Sequence, residues 1–382
     1  MVRRPIKIAM VVPRYGRVGG GERFVMALTE QLAAMDGLEM HVFANRWETR
    51  SDDVFFHKVP IISFPRFLTT ISFAYFANRR IAAAGMDLIH SHDRILQADI
   101  FTAHGLPHAT WIREVRRKHL SLFDRVTAWT EKHLITSARC RRIFPVSTLV
   151  QEKMVAAFPQ SRNKILVMPP GVDTAPYNLL NRETCRNRIR KQFGISGKDR
   201  VILFVGMNFE VKGLDAIIDA VAGLKRMAPN LNPKLLVVGK GNPRRYKEMA
   251  RETGIQEEII FTGVWHDEIA PVYLAADMFI MLSVYDTFGL SVLEAMAAGL
   301  PVIISPTVGA RDIVRNGENG YVIAPAHTEE ISQCMVHMLE SEANQRMGRL
   351  AKETAQAHAW STMAHKVDRI YNELCSIPSA QE

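Results

Sequence analysis

The segment Met278–Ser305 constrains the fold of this chain more than any other part of its 382 residues. It divides into a short apolar run, a turn, a stretch of helix formers and a second apolar run: Met278–Ser283, Tyr285–Thr287, Leu290–Ala298 and Val302–Ser305. Gly299 and Pro301 follow the helix formers, where glycine favours a helix C-cap and proline prevents the helix from continuing. A strand, a helix and a second strand in this order predict a βαβ unit of a parallel sheet.

Two acidic residues lie on either side of the predicted helix start. Asp286 is on the turn, and Glu294 lies eight positions later, in an otherwise apolar helix. Between them, Phe288, Gly289 and Leu290 bring backbone N–H groups to the helix N-terminus, where phosphate binds favourably. Carboxylates accept hydrogen bonds from sugar hydroxyls. The combination therefore predicts a nucleotide-sugar site, with the diphosphate on the N–H groups.

This segment resembles the signature of the retaining family-4 glycosyltransferases, in which Glu-Pro-Phe-Gly-Leu precedes Leu-Glu-Ala-Met-Ala. The matching residues are Asp286–Leu290 and Leu293–Ala297, and Asp286 is one methylene shorter than the usual glutamate. The resemblance extends over nearly the whole chain, and residues 129–173 look most like the lipopolysaccharide-core α-glucosyltransferases. It implies the α/β fold called GT-B, in which two Rossmann-like domains, each a doubly wound parallel sheet, face a deep cleft.

The rest of the chain has the same alternation of strands and helices. Strands are predicted at Ile6–Val12, Glu39–Ala44, Asp87–His90, Ile100–Ala103, Arg142–Val146, Lys164–Val167, Arg200–Val205, Lys234–Val238 and Ile259–Thr262. Helices are predicted at Arg23–Met35, Arg182–Phe193, Leu214–Met227, Arg245–Thr253 and Ala270–Ala275. A break near Pro169 divides the chain into an N-terminal acceptor domain, residues 1–172, and a C-terminal nucleotide-sugar domain, residues 173–359. The resemblance implies that the last helix, residues 360–376, packs back on the N-terminal domain.

Loops after predicted strands of the second half supply further candidates for the donor site. Gly206 starts a loop whose Lys212 would stabilise the charge on a leaving diphosphate. The family usually has a second basic residue in this loop, but Met207 and Val211 occupy the corresponding positions. The other donor-site candidates are Gly239 and Lys240, which follow the next strand, and Val264, which resembles the position that presents backbone to the base.

The N-terminal half supplies a glycine loop and several histidines. Gly20 and Gly21 follow the first strand, where the family approaches the donor phosphate and sugar; the loop lacks the GxGxxG pattern of dinucleotide-binding oxidoreductases. His104 resembles the histidine of the family's Thr-x-His-Gly motif and is expected to orient the sugar and diphosphate. His90 and His92 have the spacing of a metal pair, but no third ligand is evident. Because family-4 enzymes need no metal, neither a metal nor another cofactor is expected.

Charge is distributed unevenly along the chain. Residues 1–190 carry 29 Lys and Arg against 16 Asp and Glu, whereas the remainder carries 19 against 23. A basic half indicates an anionic partner. The basic cluster comprises Arg113, Arg116, Arg117 and Lys118, and the aromatic residues Phe64, Phe67 and Tyr75 precede Arg79 and Arg80. Such residues suit an anionic membrane surface or glycolipid acceptor, and they suit equally a solvated helix face beside core aromatics.

Other features of the chain disfavour several classes of protein. No run approaches the roughly 18 apolar residues of a membrane span, and the apolar run Ile8–Val12 is too short for a signal peptide. The four cysteines are widely spaced, which is typical of reduced thiols. A cytoplasmic protein is expected, peripheral at the inner face of the membrane if its acceptor is a glycolipid. No nucleic-acid-binding motif is present, so no nucleic acid is expected as a partner.

The residues and the resemblance together predict a retaining, metal-independent hexosyltransferase that uses a nucleotide-diphosphate sugar, with UDP favoured. The expected acceptor is an anionic glycan or glycolipid of lipopolysaccharide-core or other cell-surface glycan synthesis. Two alternatives stay open. One is a GT-B transferase that acts on a small soluble acceptor, and the other is a non-enzymatic protein that binds nucleotides or nucleic acid through its basic half.

Overall fold

The chain folds into two compact units. The computed structural model describes residues 4–16, 19–48, 51–265 and 268–376. Unit 1 comprises Met1–Gly171 together with Trp360–Glu382, and unit 2 comprises Val172–Ala359. Each unit contains its own six-stranded parallel sheet, so the α/β prediction of two doubly wound, Rossmann-like domains is confirmed.

Unit 1 is built around a sheet with the spatial order β5-β3-β1-β6-β7-β8, and the short strands β2 and β4 pair outside it. The strands are β1 (Ile6–Val11), β2 (Arg14–Tyr15), β3 (Leu38–Ala44), β4 (Arg46–Trp47), β5 (Val54–Lys58), β6 (Leu88–Ser91), β7 (Ile100–Ala103) and β8 (Arg142–Pro145). The helices are α1 (Gly20–Ala33), α2 (Leu68–Ala84), α3 (His108–Thr110), α4 (Leu122–Thr136) and α5 (Thr148–Ala157), with a π-helical turn at Trp111–Val115. Central strands such as β1 are buried on both faces over most of their length, which explains the apolar run from Ile8 to Val11.

Unit 2 repeats this architecture with the order β11-β10-β9-β12-β13-β14. Its strands are β9 (Arg200–Gly206), β10 (Pro233–Gly239), β11 (Ile259–Gly263), β12 (Met278–Met281), β13 (Val302–Ile304) and β14 (Gly320–Val322). Its helices are α6 (Ala175–Leu179), α7 (Arg182–Gln192), α8 (Leu214–Met227), α9 (Pro243–Glu252), α10 (Ala270–Ala275), α11 (Leu290–Ala297), α12 (Thr328–Leu339) and α13 (Ser341–Ala357). Branched and aromatic side chains from the sheet, such as Ile202, Phe204 and Ile280, form a core with those of α8 and α12.

The last helix, α14 (Trp360–Ser376), belongs to unit 1 and packs against α1. Its buried residues recur every three or four positions, as expected of an amphipathic helix; they are Met363, Ala364, Val367, Ile370, Tyr371 and Leu374. Tyr371 is fully buried, and its hydroxyl lies 2.6 Å from His90 Nδ1. The helix therefore contributes a polar contact to the middle of the unit 1 sheet as well as apolar packing.

Each sheet contains one point at which the strand order reverses. In unit 1 this point lies between β1 and β6, and in unit 2 it lies between β9 and β12. The connections that leave the two neighbouring strands run in opposite directions there, which opens a crevice at the carboxyl ends of the strands, the usual ligand-binding position in doubly wound sheets. The loops after these four strands are therefore the expected ligand-binding loops of the two units.

The predicted strands and helices agree with the structure to within three residues, with one exception. The strand predicted at Lys164–Val167 is wrong. Lys164 ends a 3-10 turn that begins at Pro159, and in this stretch only Ile165 forms a bridge, with Ile143 of β8. Pro169 and Pro170 follow and have no N–H group with which to extend the pairing.

We expect Gly213→Ala to destabilise unit 2 strongly. Gly213 has a φ of +73°, and a β-carbon there would lie 2.1 Å from the carbonyl oxygen of Leu282, just beyond β12. The left-handed conformation and the backbone clash together should lower the free energy of unfolding by about 3 kcal/mol. Urea denaturation followed by circular dichroism measures this loss.

Gly254→Ala is the matched control for this prediction. Gly254 has a similar φ of +76°, but no described atom lies within 4 Å of the added β-carbon. Only the left-handed conformation then opposes the substitution, at about 1 kcal/mol. Equal losses for the two variants would show that the contact between Gly213 and Leu282 does not constrain the fold.

Candidate active site

The loops after β9 and β12 meet at the point of strand reversal in unit 2. The Val284 N–H donates to the carbonyl oxygen of Val211 at 2.9 Å, and Gly213 lies against the carbonyl of Leu282. This backbone packing brings two side chains predicted for the site together. Lys212 Nζ donates to Asp286 Oδ2, and the two side chains are only 23% and 15% exposed.

Asp286 is also fixed by its backbone and by its second carboxylate oxygen. Its N–H donates to the Thr307 carbonyl at 3.0 Å, and its own carbonyl accepts from the Gly309 N–H at 3.0 Å. Asp286 Oδ1 accepts from the Phe288 N–H at 3.2 Å. The loop after β13 thus fixes the backbone of Asp286. The Phe288 N–H, which the sequence predicted to contact phosphate, already donates to Asp286 within the protein.

Helix α11 begins where the sequence predicts an anion-binding turn. Gly289 is its N-cap with a φ of 91°, a left-handed conformation that favours glycine, and Leu290 is its first residue. A β-carbon on Gly289 would lie 2.7 Å from the Met281 side chain. The first N–H groups of a helix have no intrahelical acceptor, so this turn presents donors at the carboxyl edge of the sheet.

Glu294 is the acidic residue of α11, and it is half-buried beside α10. Tyr273, a residue of α10, donates its hydroxyl to Glu294 Oε2 at 2.9 Å. Tyr273 is itself fully buried, so its ring is fixed and the carboxylate is held in one orientation. A carboxylate accepts several hydrogen bonds, which leaves Glu294 able to bind ligand hydroxyls as well.

The remaining donor-site candidates line the same edge of the unit 2 sheet. Gly206 and Gly239 end β9 and β10, and a β-carbon on Gly239 would lie 1.8 Å from the Gly206 carbonyl oxygen. Lys240 is exposed, and Val264 follows β11 with 36% of its surface exposed. Met207 and Val211, which replace the family's basic residues, are 64% and 40% exposed. An exposed apolar surface therefore occupies the positions where a second positive charge is usual.

Unit 1 contains a pocket of about 370 Å³ at its own point of strand reversal. It is lined by Val12, Pro13, Arg14, Gly21, Glu22, Val25, His92, Asp93, Arg94 and His104. Gly20 and Gly21 are the first residues of α1, and a β-carbon on Gly21 would lie 3.7 Å from His104 Cγ. Gly21 and His104, predicted from separate motifs, are thus in contact within one unit.

Three histidines form a connected group beside this pocket. His90 lies 2.6 Å from the Tyr371 hydroxyl and 2.7 Å from the Thr102 hydroxyl, and His92 Nδ1 lies 3.1 Å from His104 Nε2. Burial lowers the pKa of His90 to about 3 and that of His104 to about 4, and it lowers the pKa of His92 well below its usual value. All three rings are therefore neutral near pH 7.

In the part of the chain that the structure describes, these histidines do not belong to a set of metal ligands. Both nitrogens of His90 face protein hydroxyls, and among the residues that the structure describes no three His, Cys, Asp or Glu side chains are arranged to hold a metal ion.

The basic cluster lies on the surface of unit 1. Its members Arg113, Arg116, Arg117 and Lys118 are all exposed and lie between α3 and α4. No described helix is long and apolar enough to cross a membrane.

Sequence reasoning missed several residues that shape these sites. Tyr273 orients Glu294, Thr307 supports Asp286, and His92 contacts His104. The sequence analysis named His92 only for its spacing from His90. Its contact with His104 was identifiable, because alternate residues of a strand share a face and the parallel neighbour β7 leads to His104. Tyr273 and Thr307 had no comparable pattern, since their partners lie on other elements.

Two family models match the chain. The model described as Glycosyltransferase Family 4 matches residues 18–176, and the model described as Glycosyl transferases group 1 matches residues 186–354. Together they span most of both units.

Three known proteins illustrate the similarity. The D-inositol 3-phosphate glycosyltransferase of Corynebacterium aurimucosum is 25% identical over 96% of this chain and 93% of its own length. The lipopolysaccharide glucosyltransferase WaaG of Escherichia coli is 22% identical over 85% and 86%, and a crystal structure of WaaG has a TM-score of 0.77 at 21% identity, covering 95% and 99%. The Anabaena protein HepE, solved with UDP and glucose, has a TM-score of 0.71 at 17% identity, covering 96% and 100%. The structural likeness establishes the fold.

We expect the Lys212–Asp286 pair to be measurably coupled in stability. A double-mutant cycle with Lys212→Met and Asp286→Asn should give a coupling energy of about 1 kcal/mol, the upper end for partly exposed ion pairs. Chemical denaturation of the four proteins measures it. The Arg251–Glu248 pair, with both side chains 71% exposed and 3.9 Å apart, is the control and should give a coupling near zero. Equal couplings for the two pairs would mean that the buried geometry is not maintained in solution.

Proposed function

Because the chain belongs to the family-4 glycosyltransferases of the GT-B fold, we propose that it transfers a hexose from a nucleotide-diphosphate sugar to an acceptor hydroxyl, with retention at the anomeric carbon. One observation carries this proposal. A cation, an anion-binding helix start and two oriented carboxylates surround the point of strand reversal in unit 2; they are Lys212, Leu290, Asp286 and Glu294.

Each of these groups suits one part of the donor. Glu294, oriented by Tyr273, would accept hydrogen bonds from the ribose hydroxyls. The N–H groups of Gly289 and Leu290 would bind the diphosphate at the start of α11. Lys212 would stabilise the negative charge that grows on the leaving phosphate, and Asp286 would accept a hydroxyl of the sugar. In unit 1, Gly21 and His104 would contact the sugar substrate in their pocket.

The proposed reaction exchanges one bond at the anomeric carbon for another. The bond from C1 to the phosphate oxygen breaks, and a bond from C1 to the acceptor oxygen forms on the same face. The acceptor proton passes to the departing phosphate oxygen, so neither a metal nor a protein base is required. Proton NMR of the first product formed would establish its anomeric configuration, and inversion would contradict the retaining mechanism.

We favour a UDP-sugar as the donor, by analogy with HepE in its complex with UDP and glucose. Thermal-shift measurements with UDP-, GDP- and ADP-sugars test this choice. A donor at a hundred times its Kd should stabilise the folded protein by about 2.7 kcal/mol. We expect one nucleotide class to give this shift and Glu294→Ala to abolish it.

Glu353→Ala is the matched control for Glu294→Ala. Glu353 also lies on a helix of unit 2, but its side chain is 55% exposed and pairs only weakly with Arg349. This variant should keep the full donor-induced shift. Folded wild-type protein that responds to none of the sugars would contradict the donor site and favour the non-enzymatic alternative.

The surface of unit 1 supports a membrane-associated, anionic glycolipid as the acceptor. Helices α2 and α4 form an apolar groove of about 480 Å³, lined by Phe67, Leu68, Ile71, Arg125, Val126 and Trp129. Several apolar side chains on or just before these two helices are exposed; Phe64 is 87%, Leu122 59%, Trp129 54% and Tyr75 51% exposed. An apolar groove flanked by exposed apolar side chains on the same helices is typical of an interaction site.

The charge around this groove is complementary to an anionic bilayer. No acidic residue occurs between Asp53 and Asp87, which includes the whole of α2. Arg66 and Arg125 are exposed, and the basic cluster immediately precedes α4. Each Lys or Arg near an anionic surface contributes about 1 kcal/mol to membrane binding. We therefore propose that unit 1 docks peripherally on the inner face of a membrane and receives a phosphorylated glycolipid such as lipopolysaccharide core.

We expect unit 1 to bind vesicles that contain anionic phospholipid and not vesicles of phosphatidylcholine alone. Arg116→Glu with Arg117→Glu should weaken binding more than tenfold, since four charge units change near the surface. Flotation of the protein with vesicles measures binding. The control variant is Arg251→Glu with Arg349→Glu. These two residues are 71% and 70% exposed on unit 2, and the variant should bind vesicles as the wild type does. Binding that is unaffected by the unit 1 variant would contradict this docking face.

A small soluble acceptor is the second candidate. The relative named D-inositol 3-phosphate glycosyltransferase favours it. Transfer to a soluble sugar phosphate, with no vesicle binding, would select this candidate while leaving the donor site intact.

A further inference from the structure

We propose that His92 is a positioning residue that fixes the tautomer of His104, so that His104 presents an Nδ1–H donor to the substrate pocket of unit 1. The identity of that substrate rests on the proposed function. The tautomer itself rests only on contacts within unit 1.

The register of two neighbouring strands creates the contact. His90 and His92 are two residues apart at the end of β6 and therefore share a face, with their rings stacked 4.3 Å apart. β7 runs parallel to β6, with His90 paired to Ile100, and it leads directly to His104. The ring of His104 lies 5.3 Å from that of His92 and nearly parallel to it, with His92 Nδ1 and His104 Nε2 3.1 Å apart.

Only one of these two nitrogens carries the shared proton. His92 Nε2 is buried and has no hydrogen-bond partner among the residues that the structure describes. If His104 donated through Nε2–H, neutral His92 would keep its own proton on Nε2, as a buried N–H group with no acceptor. Such orphaned donors are rare in folded proteins, because a buried N–H group without an acceptor has lost its hydrogen bond to water and gained none in return. His92 therefore carries its proton on Nδ1 and donates it to His104 Nε2.

The neutral His104 ring must then carry its proton on Nδ1. A neutral imidazole has one N–H and one acceptor nitrogen, and the acceptor is occupied by His92. Gly21 approaches the Cβ, Cγ and Cδ2 atoms of His104, and Phe24 packs edge-on against the ring at 4.8 Å. These contacts involve Nε2 and carbon atoms of the ring, and His104 lines the pocket. His104 thus offers the substrate a donor and cannot accept a proton through Nδ1.

Further contacts keep His92 in place. His90 uses one nitrogen on Tyr371 and the other on Thr102, so it cannot compete for His104. Its ring instead fixes the plane of His92 through stacking. A His104 that donates and does not accept a proton agrees with the proposed reaction, in which the acceptor proton passes to phosphate and no protein base is needed.

Nitrogen-15 NMR of histidine-labelled protein measures the tautomer without any substrate. Protonated and unprotonated ring nitrogens have widely separated shifts, and His104→Gln assigns the signals. We expect protonated Nδ1 and unprotonated Nε2 in wild-type His104. In His92→Phe, which keeps an aromatic ring but removes the donor, the two tautomers of His104 should mix. His92→Asn, whose side-chain amide can donate from nearly the same position, should restore the wild-type pattern.

Kinetics with the donor identified above provide the second measurement. His92→Phe should raise KM about five- to tenfold with kcat largely kept, the loss expected for one weakened hydrogen bond, and His92→Asn should return KM toward wild type. Tyr371→Phe is the structural control; it removes one bond of His90 but keeps the His90–Thr102 bond and the stacking of His90 on His92, so the His104 shifts should stay unchanged. Protonated Nε2 in wild-type His104 would overturn the proposal. A correct tautomer with no transfer to any acceptor would instead reject the proposed function alone.

Discussion

The backbone contact between the loops after β9 and β12 is the constraint on which the unit 2 site depends. At a point of strand reversal the connections diverge, so the topology alone does not bring Lys212 to Asp286. The bond from Val284 to Val211 and the close approach of Gly213 to Leu282 do so. A partly exposed ion pair contributes little stability by itself. The pair is therefore a result of the backbone packing, and the glycine that permits this packing matters as much as the charges.

In unit 1, contacts between side chains, and not between backbone groups, position the residues of the pocket. His92 and His104 directly follow strands β6 and β7, and the neighbouring helices supply the side chains that hold this group in place. Phe24 of α1 packs on His104, and Tyr371 of α14 bonds His90. Helix α14 lies far from these residues in sequence and follows unit 2 in the chain. The pocket of unit 1 therefore depends on a helix that can pack there only after unit 2 has been synthesised.

The sequence predicted the sheet strands well because a strand buried on both faces is apolar over most of its length, as in β9 and β10, whose charged residues Arg200 and Lys234 lie at the start. It predicted Asp286 and Glu294 because both lie in one continuous motif. It gave the wrong structure for Lys164–Val167, where an apolar run pairs at a single residue. It missed the support of Glu294 by Tyr273, since a hydrogen bond between two helices has no local pattern. Local periodicity records burial, whereas the orientation of a site residue depends on distant partners.

The apolar residues at Met207 and Val211 change how the unit 2 site must bind a diphosphate. With both positions uncharged and exposed, Lys212 is the cation of its loop, and Asp286 already neutralises it. Under the proposed function, the diphosphate replaces the carboxylate as the partner of Lys212. Asp286 Oδ2 then needs a new donor, because the Phe288 N–H serves only Oδ1 and a largely buried charge without its partner is costly. A sugar hydroxyl provides that donor, and a free nucleoside diphosphate does not. Binding of the phosphate and binding of the sugar are therefore coupled through Asp286, which favours the intact donor over the product that remains after transfer.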